Sequence, residues 1–314
     1  MQTYILRRLI ISVAQLLGAA TLVFFMIRLV PGDPAGAILG ESANQEQIQA
    51  IRAQLGLDRP LIEQYTGWLG KLFRGDLGQS LISGRSIGQD VAYYFPRTLE
   101  LALSAFLIGV LIGIPNGVLA AVWRDRPPDL IATSMSLVGL SVPNFVLGTL
   151  LIILFGLWLR WFPPTGYIPW EEDWGAHLKV LILPALALSI HLAAVVTRMT
   201  RSTVLEVLGL DFVRTARGKG LGEQTVLFRH ALRNALIPVV SLTGVQFGTL
   251  LGGSVVVEQV FRWPGISTML LNAVSYRDYP TVQAVVLLVC SIFIIVNLGV
   301  DLVNGFLDPR IRYR

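Results

Sequence analysis

Candidate places for chemistry by the chain itself include two Gly-Lys pairs, three histidines and the run Gly139-Leu140-Ser141. A phosphate-cradling loop needs Gly-x-x-x-x-Gly-Lys-Ser/Thr, because its backbone N–H groups and its lysine hold nucleotide phosphates. The pairs here are Gly70-Lys71 and Gly218-Lys219. Tyr65 and Val213 stand five residues before those glycines, and Leu72 and Gly220 follow the lysines. Neither is a phosphate loop, so the chain shows no means of hydrolysing a nucleotide itself. None of His177, His191 and His230 is followed by glutamate, so the HExxH zinc pattern is missing. Gly139-Leu140-Ser141-Val142-Pro143 begins like a nucleophile elbow but has proline where the second glycine belongs. No catalytic residue, no metal ligand set and no cofactor bound by this chain are expected. The single cysteine, Cys290, excludes an internal disulfide.

Two other sets of polar residues stand out. Asn144, His191, Gln246 and Asn297 lie within or near long apolar runs, where polar groups face protein interior or a water-filled path. Each either contacts a solute or hydrogen-bonds a neighbouring helix. Asp301 sits near the end of the last run, where an ion pair with a loop arginine is expected. The second set is the basic segment Leu205 to Val240. It is too polar to cross a membrane and too apolar for a loose loop. Two short helical stretches flank Gly218-Lys219-Gly220, where glycine supplies the backbone angles that end a helix. Phe212, Val213 and Ala216 are expected on one face of the first stretch. Val226, Leu227, His230 and Ala231 are expected together on the second. A basic amphipathic segment lying on an anionic leaflet would explain Arg214, Arg217, Lys219, Arg229 and Arg233. It does not explain the glycine break.

These residues must be positioned by membrane-spanning helices. The chain of 314 residues is 54% hydrophobic and 14% charged, against about 45–50% and about 25% in soluble domains. Six blocks are long enough to cross an apolar layer of about 30 Å: Ile10–Val30, Thr98–Val122, Leu130–Leu159, Leu178–Val196, Leu236–Val257 and Val282–Val303. The third should kink or break at Ser141-Val142-Pro143-Asn144, since proline removes a helical donor. The expected fold is an all-α polytopic membrane protein with six transmembrane helices and a helical extracytoplasmic cap after the first.

The N-terminus, the loop after the second span, the segment after the fourth and the C-terminal end hold 14 Lys/Arg and 7 acids. The rest holds 11 and 13. Basic residues concentrate on the cytoplasmic side, which places both termini there. Trp158, Trp161, Trp170 and Trp174 cluster near one outer boundary. The first apolar run is too long for a cleaved signal, so a retained span is expected. The expected organisation is residues 1–30 as tail and first span, 31–97 as the cap, 98–308 as a five-helix core and 309–314 as a cytoplasmic tail. The core includes a cytoplasmic segment over 203–235. In the cap, helices are expected over Glu46 to Leu57 and Pro60 to Phe73, followed by a turn-rich stretch from Arg74 to Ser80. A folded loop of this length reads as a receiver of a partner or substrate. Gly244, Gly248 and Gly252 recur every four residues and read as a close packing face.

The basic segment closely resembles the cytoplasmic loop, often called the EAA loop, of ABC-importer permeases of the dipeptide, oligopeptide and nickel transport family. The resemblance continues through LVPGDPAG from Leu29, LGLDRPLIEQY from Leu55, RGDLGQS from Arg74 and SVPNF from Ser141. It extends to LLGGSVVVEQVFRWPGIS from Leu250, RDYPTVQA from Arg277 and DPRIRY from Asp308. It implies a permease of the bacterial inner membrane that forms half of a pathway for di- or oligopeptides. The implied partners are a second related permease, two ABC ATPase subunits that carry the ATP and Mg, an extracytoplasmic solute-binding protein and membrane lipid, with no nucleic acid. Carried onto this chain, the ATPase-docking coupling helix comprises Phe212, Val213, Arg214, Thr215, Ala216, Arg217, Gly218, Lys219, Gly220 and Leu221. Gly218 stands where the family commonly has alanine, and the glutamate that names the loop is absent. The same machinery carrying nickel complexes or another small organic solute is the alternative. An ion-coupled secondary transporter, which has no ATPase to dock, is a third reading.

Overall fold

The computed structural model describes residues 2–29, 44–46, 49, 52, 53, 56 and 58–307. Among these, every regular element is a helix, and the only extended pairing is an isolated antiparallel bridge between Gln79 and Ser86. In chain order the helices are α1 (Gln2–Leu29), α2 (Leu61–Phe73), α3 (Ile87–Val122), α4 (Pro127–Ser141) and α5 (Asn144–Trp158). They continue with α6 (Trp174–Leu208), α7 (Asp211–Gly218), α8 (Glu223–Gly253), α9 (Val255–Phe261), α10 (Ile266–Ser275) and α11 (Tyr279–Leu307). Most of the expected helix from Glu46 to Leu57, the motif after Leu29 and the tail from Asp308 lie outside the described residues.

Five helices are long and apolar enough to cross a membrane, and α4 with α5 makes a sixth if counted as one span. That pair is bent by 106°. The break falls at the expected place: α4 stops at Ser141, and Pro143 takes extended angles (φ −59°, ψ 142°) before Asn144 opens α5. Each arm has 15 residues, about 22 Å at 1.5 Å per residue, so neither spans the bilayer alone. The third block is therefore two inclined arms and not one kinked rod.

Other boundaries also move. The second span starts at Ile87, well before Thr98, because Asp90 and Arg97 interrupt the apolar run but not the helix. The fifth block was expected to end at Val257. The structure starts that helix at Glu223, ends it at Gly253 and begins α9 two residues later. Buried Ser254 stands at this junction, and its hydroxyl donates to the carboxylate of buried Glu258 at 3.0 Å.

The described chain divides into two compact units. One contains Leu99–Trp263 with the two chain ends. Its hub is α6, which buries 72% of its most apolar stretch against 6% for α11. Three glycines at four-residue spacing let α3 lie against α6. A Cβ on Gly109 would come within 2.7 Å of Leu192, on Gly113 within 2.7 Å of Val196, and on Gly117 within 2.5 Å of Thr200. Arg201 on α6 grips buried Asp129 on α4 through two bonds, Nε to Oδ1 at 2.6 Å and Nη2 to Oδ2 at 2.7 Å.

His177, near the start of α6, is 1% exposed and both its ring nitrogens face oxygens. Nδ1 donates to the Ile168 carbonyl, which only accepts, at 2.6 Å, while Nε2 lies 2.6 Å from Glu100 Oε1. Tyr167 and Trp263 wall the ring in edge-on. Asp301 pairs with Arg8 of α1 at 2.7 Å.

The second unit contains Leu9–Thr98 and Pro264–Ile294. Ile87, Ile266, Met269, Ala284 and Val285 form its core. Helix α2 appears where expected, with Pro60 at its N-cap and Tyr65 and Trp68 against Phe24 of α1. After it, Gly75, Gly78 and Gly84 take positive φ through a turn-rich stretch. Buried Asp278 ties that stretch down, accepting from Ser80 Oγ at 2.5 Å and from the Leu81 N–H at 3.1 Å.

Candidate functional site

The basic segment folds as a compact tip between α6 and α8. Helix α6 ends at Leu208, and after Gly209 and Leu210 the chain restarts as α7. Two side chains of α7 point inward. Val213 and Ala216 pack with Val226 of α8 against Val207 and Leu208 of α6. Val213 and Val226 are fully buried, so the tip is held from beneath by side chains at three places along the chain. Phe212 does not share this face; it is 42% exposed. On the second stretch Val226 and Ala231 are buried while Leu227 and His230 are half-buried, along a single π-helical turn, Val226–Ala231.

The helix to which the resemblance assigns ATPase docking ends earlier than the resemblance implies. Helix α7 stops at Gly218, so Lys219, Gly220 and Leu221 form the turn that follows and are not helix. The Gly220 N–H donates to the Arg217 carbonyl at 2.9 Å, and the Leu221 N–H to the Ala216 carbonyl at 3.4 Å. With Gly220 at φ +79°, these two bonds make a Schellman cap, whose left-handed position favours glycine. A charged clasp closes the turn: Arg217 Nε meets Glu223 Oε1 at 2.8 Å, and Nη2 meets Oε2 at 3.1 Å. Glu223 and Val226 were not among the residues singled out as the coupling helix. The alternation of the second stretch carried a signal for Val226, but nothing in the sequence pointed to the clasp.

Every residue of α7 other than Val213 and Ala216 is exposed. The outward surface therefore presents Phe212, Arg214, Thr215 and Arg217, with Leu210, Leu221 and Phe228 also exposed. Exposed apolar side chains thus stand among guanidinium groups on a base fixed by two interior contacts, Val213 and Ala216.

The chain matches two family models. Residues 1–102 match the N-terminal part of binding-protein-dependent transport membrane components, and residues 113–313 match the binding-protein-dependent transport system inner membrane component. The chain belongs to that family. It is thus the permease subunit of an ABC importer, a polytopic inner-membrane protein that works with ATPase and binding-protein partners. Full-length relatives include the glutathione transport system permease protein GsiC of Salmonella typhi, 43% identical over 314 residues, and that of Escherichia coli K12, 42% identical. In both, the match covers all of each chain. Among solved structures, the inward-facing MetNI methionine ABC transporter shares the fold. Its TM-score is 0.58 at 18% identity, covering 70% of this permease and 97% of that chain.

The four residues expected along a pathway are not brought together by any bond. Asn144 opens α5, His191 is on α6, Gln246 on α8 and Asn297 on α11, and each is half-buried. Among the described residues none of their side chains has a hydrogen-bond partner. The small-residue face of α8 also divides: a Cβ on Gly244 would collide with Val300, whereas Gly252 faces open space.

Proposed function

We propose that this permease forms half of a translocation pathway for short peptides and that residues 211–221 dock in a groove of an ATPase subunit. The docking reading rests on the tip: an exposed apolar and cationic surface on a base that cannot shear freely. When ATP closes the ATPase pair, a rigid tip moves with it, and the rest of the bundle follows between inward-open and outward-open states. The solute reading rests on full-length likeness to permeases of a system for glutathione, itself a tripeptide. In hydrocarbon an unpaired amide or imidazole is costly. Asn144, His191, Gln246 and Asn297 therefore face an aqueous path or the second permease. Both termini lie on the cytoplasmic side, which follows from the charge distribution when α4 and α5 cross as one span.

The test is uptake by the importer reconstituted with its ATPases, partner permease and binding protein. Labelled di- and tripeptides should enter only with ATP, and unlabelled peptides should compete while nickel complexes should not. Competition by a nickel complex and not by peptide would transfer the solute assignment. Uptake that survives ATP depletion would reject the docking reading altogether.

A further inference from the structure

Helix α2 has an apolar arc only half covered by protein. On a wheel of 3.6 residues per turn, Trp68, Leu61, Leu72, Tyr65, Leu69, Ile62 and Phe73 occupy roughly 140°. Glu63, Gly67, Gly70 and Lys71 fill the other side. One edge of the arc is spent on α1. Tyr65 shares a hydrogen bond with Thr21 at 2.7 Å, and Tyr65 and Trp68 pack on the Phe24 ring with centroids 5.1 and 5.5 Å away. The other edge is bare, with Ile62 and Phe73 each 76% exposed.

The depth of this contact identifies what lies beside it. The apolar stretch of α1 covers Ile5–Met26, and its helix continues to Leu29 before the loop begins. Thr21 lies five residues before Met26 and eight before Leu29, about 7.5–12 Å below the helix end at 1.5 Å per residue. A helix bonded there does not stand in bulk water above the membrane. It lies at the boundary of headgroups and acyl chains, where in-plane amphipathic helices bury their apolar face by about 5–10 Å. The same stretch of α1 also exposes apolar side chains, Leu22 and Met26. Tyr65 and Trp68 belong to the aromatic types enriched at that level.

We propose that α2 is an interfacial helix, with Ile62 and Phe73 inserted into the leaflet on the side from which the loop after α1 emerges. The occupant of the bare edge is lipid. Pinned to α1 on one edge and to the bilayer on the other, α2 holds the loop at a set height over the membrane. This does not depend on which solute is carried or on how the cytoplasmic tip docks.

The test uses the assembled importer in vesicles of phosphatidylethanolamine and phosphatidylglycerol, on a Cys290→Ser background. Single cysteines are introduced as Ile62→Cys, Phe73→Cys, Glu63→Cys and Lys71→Cys and labelled with an environment-sensitive fluorophore. Labels at 62 and 73 should emit to the blue of those at 63 and 71. They should be quenched by lipid carrying a nitroxide near the headgroup and spared by aqueous iodide, with the reverse at 63 and 71. Iodide quenching at all four positions would overturn the proposal in favour of water. Protection at 62 and 73 from both quenchers would overturn it in favour of a protein neighbour. ATP-driven uptake, measured on the same vesicles, checks that each labelled importer is assembled. Because these quenching readouts need no solute, a failed peptide assignment leaves them intact.

Discussion

Two glycines two positions apart at the tip should respond to substitution in opposite directions. Gly220 sits at φ +79° with nothing within 4 Å of an added Cβ, so the whole cost of replacing it is backbone strain. A β-branched residue held in that region costs about 1–3 kcal/mol, and the Schellman bonds to Arg217 and Ala216 oppose its escape. Gly218 also has open space around an added Cβ, but its backbone is helical. Alanine there should stabilise α7 by roughly 0.5–1 kcal/mol. At about 1.4 kcal/mol per tenfold, Gly220→Val lowers the population of the ordered tip by about 5- to 150-fold relative to its disordered forms. Gly218→Ala raises it about two- to fivefold on the same scale. The assay is solute-stimulated ATPase activity and uptake in proteoliposomes. Gly220→Val should assemble in the membrane with most solute-stimulated turnover uncoupled from uptake. Gly220→Asn, which tolerates left-handed angles, should lose much less, and Gly218→Ala should couple at least as well as the parent. Wild-type coupling in Gly220→Val would refute this, as would equal damage from Asn and Val.

Asp129→Asn should destabilise the permease by about 3 kcal/mol, because Arg201 then faces a buried amide; thermal unfolding in detergent reads this, and Arg201→Lys should recover less than the native bidentate grip. Gly113→Leu should prevent α3 from seating, since even a Cβ would lie 2.7 Å from Val196 and 2.9 Å from the Ala193 carbonyl, and the subunit should fail to co-purify with its partners. Asp278→Ala removes acceptors from Ser80, Leu81 and Thr281. Limited proteolysis should then cut between Gly78 and Ile87, while native protein with its anchor intact resists.

The spans, the break at Pro143 and the family were legible from the chain, because hydrocarbon demands long apolar runs and closed backbone hydrogen bonds. Those constraints act locally. Span ends were less legible: Asp90 and Arg97 lower the apolarity of α3, yet tertiary packing of Ile87, Val91 and Phe95 carries the helix through them. The spacing of Gly244, Gly248 and Gly252 marks a narrow face on α8 that is filled at Gly244 and open at Gly252, while the same spacing on α3 is filled at Gly109, Gly113 and Gly117 alike. Spacing shows that a helix has a narrow face, and only the neighbour shows whether anything fills it.

At the tip, the residues themselves determined a glycine-broken, basic, amphipathic elbow, and their order determined the family. Tertiary structure decided which side of the elbow is available. Val213 and Ala216 turn inward because Val226, ten residues beyond Ala216, closes over them, and Phe212 is left outside. It also decided where α7 stops, since the cap at Gly220 and the Arg217–Glu223 clasp form only when the chain turns back. Local composition sets what each residue prefers; which preference is satisfied depends on partners distant in sequence.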